Sequence, residues 1–435
     1  MFNIEQLIRL KNKFSTNFMR NTGWLILEQI FRMGLSLIVT SMMARYLGSQ
    51  NFGLINYSLA YILIFTTVSK LGIDSIIVNE IIKKREDTGK VLGTTICLRL
   101  LSSLLSILLI LLIVKYMDPN DLTIQMLTFI QSISLLMVVF DTLDFWFQSN
   151  LQSKYIVISK SIAFTIVSIW RLALIFFEKS IYYFAFATVI EGLVISIFIV
   201  VFYYKFKGPR LQFSFLTAKE LLSQGFYYFI AGLFIVAYTQ IDKIMLGQMM
   251  GGTTVGIYTA AMTISSLWVF IPNAIIQSAR PVIMTSKTEN ESSYLKKYKQ
   301  LYCSIIWIGI AASVAISVLS KPIILVIYGS QFAEAINVLI ILIWSRIFSL
   351  IGTTRAIWLT IEDLGKFQVS FVALGAVVNI VLNIMLIPHF GAIGAAIATL
   401  LAEVISTFIA LLFFKQTRPL FKLIVEAFLF KGIKI

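Results

Sequence analysis

The sequence predicts an all-α polytopic membrane protein, with about twelve transmembrane helices in two six-helix pseudo-repeat bundles around a central cavity. Three observations carry this. Hydrophobic residues make up 58% of the 435 and charged residues 13%, with a mean hydropathy of +0.89; soluble chains run at about 45–50% and 25%. The apolar runs are long enough to cross a hydrocarbon core, which takes roughly 20 residues per helix. A stretch near residue 50 is repeated near residue 250. A soluble domain is excluded, and so is disorder, which needs low hydrophobicity and high charge.

Residues 1–20 mix apolar positions (Phe2, Leu7, Leu10, Phe14, Phe18) with basic ones (Arg9, Lys11, Lys13, Arg20). This is the pattern of a short interfacial amphipathic helix, and no cleavable signal peptide is read there. Twelve spans follow, near 22–46, 52–72, 90–114, 121–147, 156–177, 181–203, 223–249, 254–279, 300–320, 335–360, 367–387 and 391–414. Backbone in lipid must satisfy its own hydrogen bonds, so these are helices. They lack the roughly ten-residue alternation of a transmembrane barrel. Pro119, Pro209, Pro281, Pro322, Pro388 and Pro419 fall in loops or at span ends. Pro272 falls inside a span, where the missing N–H predicts a kink.

The division expected is a six-helix bundle (21–204), a basic cytoplasmic linker (205–222), a second six-helix bundle (223–414) and a basic, apolar tail (415–435). In the tail, Leu420–Phe430 reads as another interfacial helix. With the N-terminus inside, the inner segments carry 25 Lys and Arg and the outer segments 4. The positive-inside rule then places both termini in the cytoplasm. Most of the formal charge of +15 is explained without nucleic acid. The extramembrane stretches are too short for a catalytic domain. With only Cys97, Cys303 and His389 available, no zinc cluster or disulfide framework is expected, nor any catalytic residue.

Residues 44–60 read ARYLGSQNFGLINYSLA and residues 242–262 read DKIMLGQMMGGTTVGIYTAAM. Leu47-Gly48 aligns with Leu246-Gly247, Phe52-Gly53 with Val255-Gly256, and Tyr57 with Tyr258, with a loop of different length between. Both copies share an orientation, so the halves relate by an axis along the membrane normal, an arrangement that encloses a central cavity. Two similar tight loops would give the same match.

The runs A-R-Y-L-G (44–48), F-G-L-I-N-Y (52–57), D-K-I-M-L-G (242–247), V-G-I-Y-T-A-A (255–261) and I-Y-G-S-Q-F-A-E-A (327–335) resemble those of the polysaccharide-biosynthesis flippases. These are the O-antigen and capsule repeat-unit exporters of the multidrug/oligosaccharidyl-lipid/polysaccharide superfamily. The resemblance implies transfer of an undecaprenyl-diphosphate-linked oligosaccharide from the cytoplasmic to the outer leaflet of a bacterial inner membrane, through a cationic cavity. It implies no chemical step and no cofactor beyond a coupling H+ or Na+. Membrane lipids and the glycan polymerase machinery are the partners it suggests.

Charges within spans cost at least about 2.5–3.5 kcal/mol each and mark function or pairing. The expected cavity cations are Arg32, Arg99, Arg171 and Arg346, because a guanidinium offers a phosphate two parallel hydrogen bonds. Glu28, Asp141, Asp144, Glu191, Asp242 and Lys243 are expected to couple an ion or to pair the lobes. Glu28 and Arg32 are i,i+4 and equally suited to pairing with each other. Asp141 and Asp144 could share a proton or sit in headgroup water, and Arg171 and Glu191 could pair. Arg355 lies nine residues from Arg346, about 180° around the helix, and nearer the inner surface, where it could snorkel. Tyr57, Tyr61, Asn379 and Asn383 are the expected sugar contacts, with Trp146 and Gln148 among further candidates; the two asparagines equally suit helix packing. Two competing functions are a multidrug or small-solute antiporter of the same superfamily, and a polytopic glycan polymerase or ligase. The short outer loops disfavour the latter.

Overall fold

A computed structural model describes the backbone of residues 4–430, and the side chains of residue 29 and of residues 31–430 except 289. The amphipathic face of residues 1–20 and the side chain of Glu28 lie outside the described residues. So do the last five positions of the tail.

The described chain is helical, with no strand. Its α-helices are α1 (Ile4–Lys70), α2 (Ile77–Lys83), α3 (Thr88–Met117), α4 (Leu122–Ser132), α5 (Ser134–Met137), α6 (Thr142–Ser149), α7 (Ser153–Phe176) and α8 (Ile181–Lys205). There follow α9 (Phe215–Met250), α10 (Gly252–Leu267), α11 (Phe270–Glu289), α12 (Glu291–Ile327), α13 (Ala335–Ile361), α14 (Lys366–Thr407) and α15 (Arg418–Phe428). Among the described residues, nine helical stretches are long and apolar enough to cross a membrane, or ten with the bent pair α10–α11 counted as one. Two of these, Phe31–Lys70 and Lys366–Leu412, contain a break, at Gly48 and Gly391. Counted as two legs each, they bring the total to the twelve the sequence predicts.

The prolines are placed differently from expectation. Pro281, Pro322 and Pro388 lie inside helices α11, α12 and α14. The reason for the first is that 280–299 is largely helical. α11 runs to Glu289, and α12 restarts at once because the Asn290 side chain caps it, accepting from the Ser292 N–H at 2.8 Å. Pro272 sits in the first turn of α11, just after a 43° bend. There its missing N–H costs no helical hydrogen bond.

The chain divides into two compact units, residues 1–46 with 61–232, and residues 47–60 with 233–435. In the first unit, Ile73, Ile77, Leu92, Leu143, Phe147, Ile199 and Tyr203 form a buried core at one end of the helices. In the second, α12, α13 and α15 share a core that includes Tyr298, Tyr302, Leu350 and Ile424. Leu420, Ile424 and Ala427 of α15 are buried at helical spacing, and Glu426 pairs with Lys299 of α12 at 2.5 Å.

The second unit also shows the repeat register. Gly48 (φ 73°, ψ 171°) and Gly251 (φ 84°, ψ 179°) adopt one turn conformation, in the left-handed region open to glycine. They are 203 residues apart, the same spacing as Gly53 and Gly256. Gly48 therefore corresponds to Gly251 and not to Gly247, and the repeat needs no change of loop length. Gly53 and Gly256 pack backbone to backbone. A Cβ on Gly53 would meet the Gly252 carbonyl oxygen at 1.7 Å, and one on Gly256 the Ser49 carbonyl oxygen at 2.1 Å. Neither neighbour is a flexible side-chain end. Gly53→Ala and Gly256→Ala should each destabilise the purified protein by at least about 1–3 kcal/mol, the usual cost of overpacking, read as a fall in melting temperature. Gly329→Ala, where a Cβ has open space, should show only the strain of a backbone conformation (φ 86°, ψ 176°) that is essentially glycine's alone, about 1–3 kcal/mol. Equal melting temperatures for wild type and Gly53→Ala would refute this packing.

Candidate functional site

Ionisable side chains in apolar helices are expensive unless partnered, so the partners define the candidate sites. In the first unit, Arg32 of α1 reaches Glu191 of α8 at 3.4 Å, and its guanidinium stacks on Phe164 of α7 at 5.0 Å. Arg171 of α7 is half-buried, feels the charge of Glu191, and has an enclosed Nε without a hydrogen-bond partner. Arg32, Arg171 and Glu191 thus form one group. The two aspartates near the start of α6 have different ion-pair partners, Asp141 meeting Lys70 at 3.7 Å and Asp144 meeting Lys160 at 2.9 Å. Lys160, Lys70 and Asp74 had given no signal in the sequence. Asp144 is only 4% exposed, so it does not sit in headgroup water.

Arg99 differs from the other arginines. It is 0% exposed and ion-paired with Asp74, with Phe145 at 5.7 Å from its guanidinium carbon. Asp74 also holds Lys70 at 3.2 Å. An enclosed, neutralised guanidinium is poorly placed to receive a phosphate.

The second unit gathers the other group. Asp242 of α9 accepts from the Tyr258 hydroxyl at 2.5 Å, the Thr399 hydroxyl at 2.7 Å and the Asn383 amide at 2.7 Å. Asn383 also donates to Asn379 Oδ1 at 3.1 Å. The Asn383 oxygen and the Asn379 amide nitrogen are enclosed without partners. Both asparagines are fully buried, so they serve this cluster and present nothing to a sugar. Lys243 turns to Gln240 at 3.3 Å.

Arg346 of α13 is half-buried and held through Nε by a neutral partner, the Ser265 hydroxyl at 3.3 Å; its Nη2 is enclosed and unpartnered. Arg99, Arg171 and Arg355 also enclose guanidinium nitrogens without a partner, so what sets Arg346 apart is the neutral hydroxyl that holds it and its partial exposure. Glu403 is buried within electrostatic reach of Arg346 and Arg355. Arg355 does not snorkel: it is 2% exposed, donates to the Ser406 carbonyl at 2.5 Å, and stacks on Phe371 at 4.4 Å. It ends there because the facing α14 offers a carbonyl and a ring.

Tyr57 and Tyr61 are 2% and 3% exposed. The Tyr57 hydroxyl receives the Gln248 amide and the Tyr61 hydroxyl faces the Met117 sulfur at 3.8 Å. Neither ring has a free face for a sugar in this conformation. Tyr258 and Thr399 were missed as site residues. Tyr258 read as a repeat marker, and Thr399 follows Asn383 across the Gly391 break, where no fixed spacing links the two.

The class these features define is a multispan membrane protein with intramembrane charge clusters. Residues 18–287 match the polysaccharide biosynthesis protein family, and the chain belongs to that family. Over 197 residues it is 32% identical to a protein of Haloferax volcanii named "Probable flippase AglR", covering 45% of this chain and 41% of that one. A second Haloferax volcanii protein, named "Probable low-salt glycan biosynthesis flippase Agl15", is 25% identical over 45% of this chain and 41% of its own length. The matched stretch thus spans about two fifths of either relative. Among solved structures, the lipid II flippase MurJ in an inward closed conformation superposes with a TM-score of 0.71 at 16% identity, covering 94% of this chain and 93% of that one. An inward-facing multidrug resistance MATE family transporter gives 0.66 at 15% identity, covering 91% and 96%. At such identities the likeness is one of fold.

Proposed function

We propose that the chain carries a lipid-linked oligosaccharide from one membrane leaflet to the other, by alternating access and with no covalent step. The observation that carries this reading is Arg346, a partly exposed guanidinium within an apolar helix, held through Nε by a neutral hydroxyl. Its guanidinium suits a diphosphate headgroup, which supplies several acceptor oxygens to a planar fork. Arg32 and Arg171 are the proposed second contact, with Glu191 holding them when no headgroup is present. The relatives named as flippases support the same class of cargo.

The cargo proposed is the undecaprenyl-diphosphate-linked repeat unit of an O-antigen or capsule, moved outward across a bacterial inner membrane. The 25-to-4 distribution of basic residues supports cytoplasmic termini. The Asp242 cluster is the proposed coupling site. One carboxylate held by neutral donors, two hydroxyls and an amide N–H, balances one proton or one monovalent cation such as Na+; a divalent ion would leave uncompensated charge in a medium that penalises it.

The test is depletion of the protein in its host followed by assay of the lipid-linked intermediate in each leaflet. Accumulation in the inner leaflet is expected, and accumulation in the outer leaflet would overturn the reading. An antiporter of small cations, the rival on the same fold, would instead change drug tolerance and leave the intermediate unmoved.

A further inference from the structure

Beyond the intramembrane charges, the first unit contains a cavity of about 320 Å³. It is walled by the end of α2, the start of α3, the end of α6 and the strap that leads from α8 to α9. The strap is docked on the glycine pair of α3. The Gln212 N–H donates to the Gly89 carbonyl at 3.0 Å, the Ser214 N–H to the Thr94 hydroxyl at 2.9 Å, and a Cβ on Gly89 would meet the Arg210 carbonyl oxygen at 2.1 Å. Residues 205–214, part of the stretch expected as a basic linker (205–222), are held against α3, and Pro209 closes one side of the cavity.

The lining sets the ligand chemistry. Arg85 supplies an exposed guanidinium and Trp146 an indole face; Asn150, Ser149 and Thr88 donate to the Trp146 and Arg85 carbonyls at 2.8–2.9 Å and offer their oxygens as acceptors. Of the acidic residues nearby, Glu80 is engaged with Lys83 and Lys84 at 3.7 and 3.5 Å and Asp87 with Lys90 at 2.8 Å, while Glu86 follows Arg85 in the same short turn and is exposed. Arg85 is left as the cation of the cavity. Ile82, 50% exposed, borders the same opening and provides an apolar exit. The volume is at the small end of ligand sites, roughly 300–1,000 Å³, enough for about one or two sugar rings and not for a long glycan.

We propose that this cavity is a docking site for a glycosyl phosphate headgroup whose lipid tail leaves along Ile82, and that it captures the cargo on the basic side of the membrane before translocation. The proposal rests on the flippase reading for its role in transport, and on the cavity alone for binding. Guanidinium and phosphate fix the headgroup, indole and carboxamide take the first sugar, and the rest of the glycan stays in water. The cavity is separate from the Arg346 and Arg32 groups.

The test uses the full-length protein in nanodiscs and the fluorescence of Trp146, taken as the difference from Trp146→Phe. The probe is farnesyl-diphosphate-linked N-acetylglucosamine, with inorganic phosphate, N-acetylglucosamine and phosphatidylglycerol as separate competitors. Saturable quenching is expected, weakened at least about tenfold by Arg85→Ala, the loss of a charged hydrogen bond, and less by Asn150→Ala. Unchanged affinity in Arg85→Ala overturns the proposal. Competition by phosphatidylglycerol as strong as that of the probe also overturns it, in favour of a general anionic-lipid site. In translocation assays, Arg85→Ala should be slow at low probe density and recover at saturation; a defect that persists at saturation overturns the capture role. If wild-type protein binds the probe but moves none of it, the flippase reading fails while the site stands.

Discussion

Asp242→Asn should abolish gradient-driven translocation while leaving the protein folded. The carboxylate accepts three hydrogen bonds, from Tyr258, Thr399 and Asn383. An asparagine keeps its shape and one acceptor oxygen but carries no charge, so it cannot balance a proton or a monovalent cation entering the cluster. Coupling is then lost at its source. The expected result in proteoliposomes is that an imposed H+ or Na+ gradient accelerates the wild type and has no effect on the variant. Tyr258→Phe and Thr399→Val remove a single partner each and should weaken ion dependence about tenfold, near the scale of one hydrogen bond to a charged group. Asn379→Ala should act through Asn383, since the two are joined at 3.1 Å. A variant Asp242→Asn that still responds fully to both gradients would remove this cluster from the coupling mechanism.

The contrast between the two clusters shows how far the sequence could be read. Helices, their number and the glycine-marked repeat were legible, because hydropathy and φ > 0 turns leave local signatures. Asp242, Asn379 and Asn383 were each legible as buried polar residues in apolar runs. Their meeting was not, because α9 and α14 are remote in sequence and no periodicity records which helix faces another. Nor could spacing reveal that Asp141 would pair with Lys70 and Asp144 with Lys160, or that Asp74, in a short 3-10 turn, would occupy Arg99. A count of buried arginines overstates the cations free for cargo for this reason. The docked strap was hidden in the same way: nothing local marks Gly89 and Gly93 as the places where Arg210 and Gln212 lie across the helix.

Arg346→Ala and Arg99→Ala should therefore fail in opposite ways. Arg99 is wholly enclosed and paired with Asp74. Removing one partner of a buried pair costs about 3–5 kcal/mol. Lys70 also meets Asp74, which is one-third exposed, so the lower end applies. Against a total stability of about 5–15 kcal/mol, Arg99→Ala should lower the amount of protein in the membrane several-fold. Arg346 is half-buried and held by the Ser265 hydroxyl, and its loss leaves the buried Glu403 facing the charge of Arg355. Arg346→Ala should accumulate normally and lose at least about tenfold in translocation, since a charged hydrogen bond to the headgroup contributes about 1.5–3 kcal/mol. Arg346→Lys keeps the charge but not the planar fork, and should recover part of the rate. Quantitative immunoblotting beside a translocation assay separates these outcomes. If Arg346→Ala vanishes from the membrane while Arg99→Ala persists and stops transport, the two residues have exchanged roles, and cargo binding belongs to the first unit.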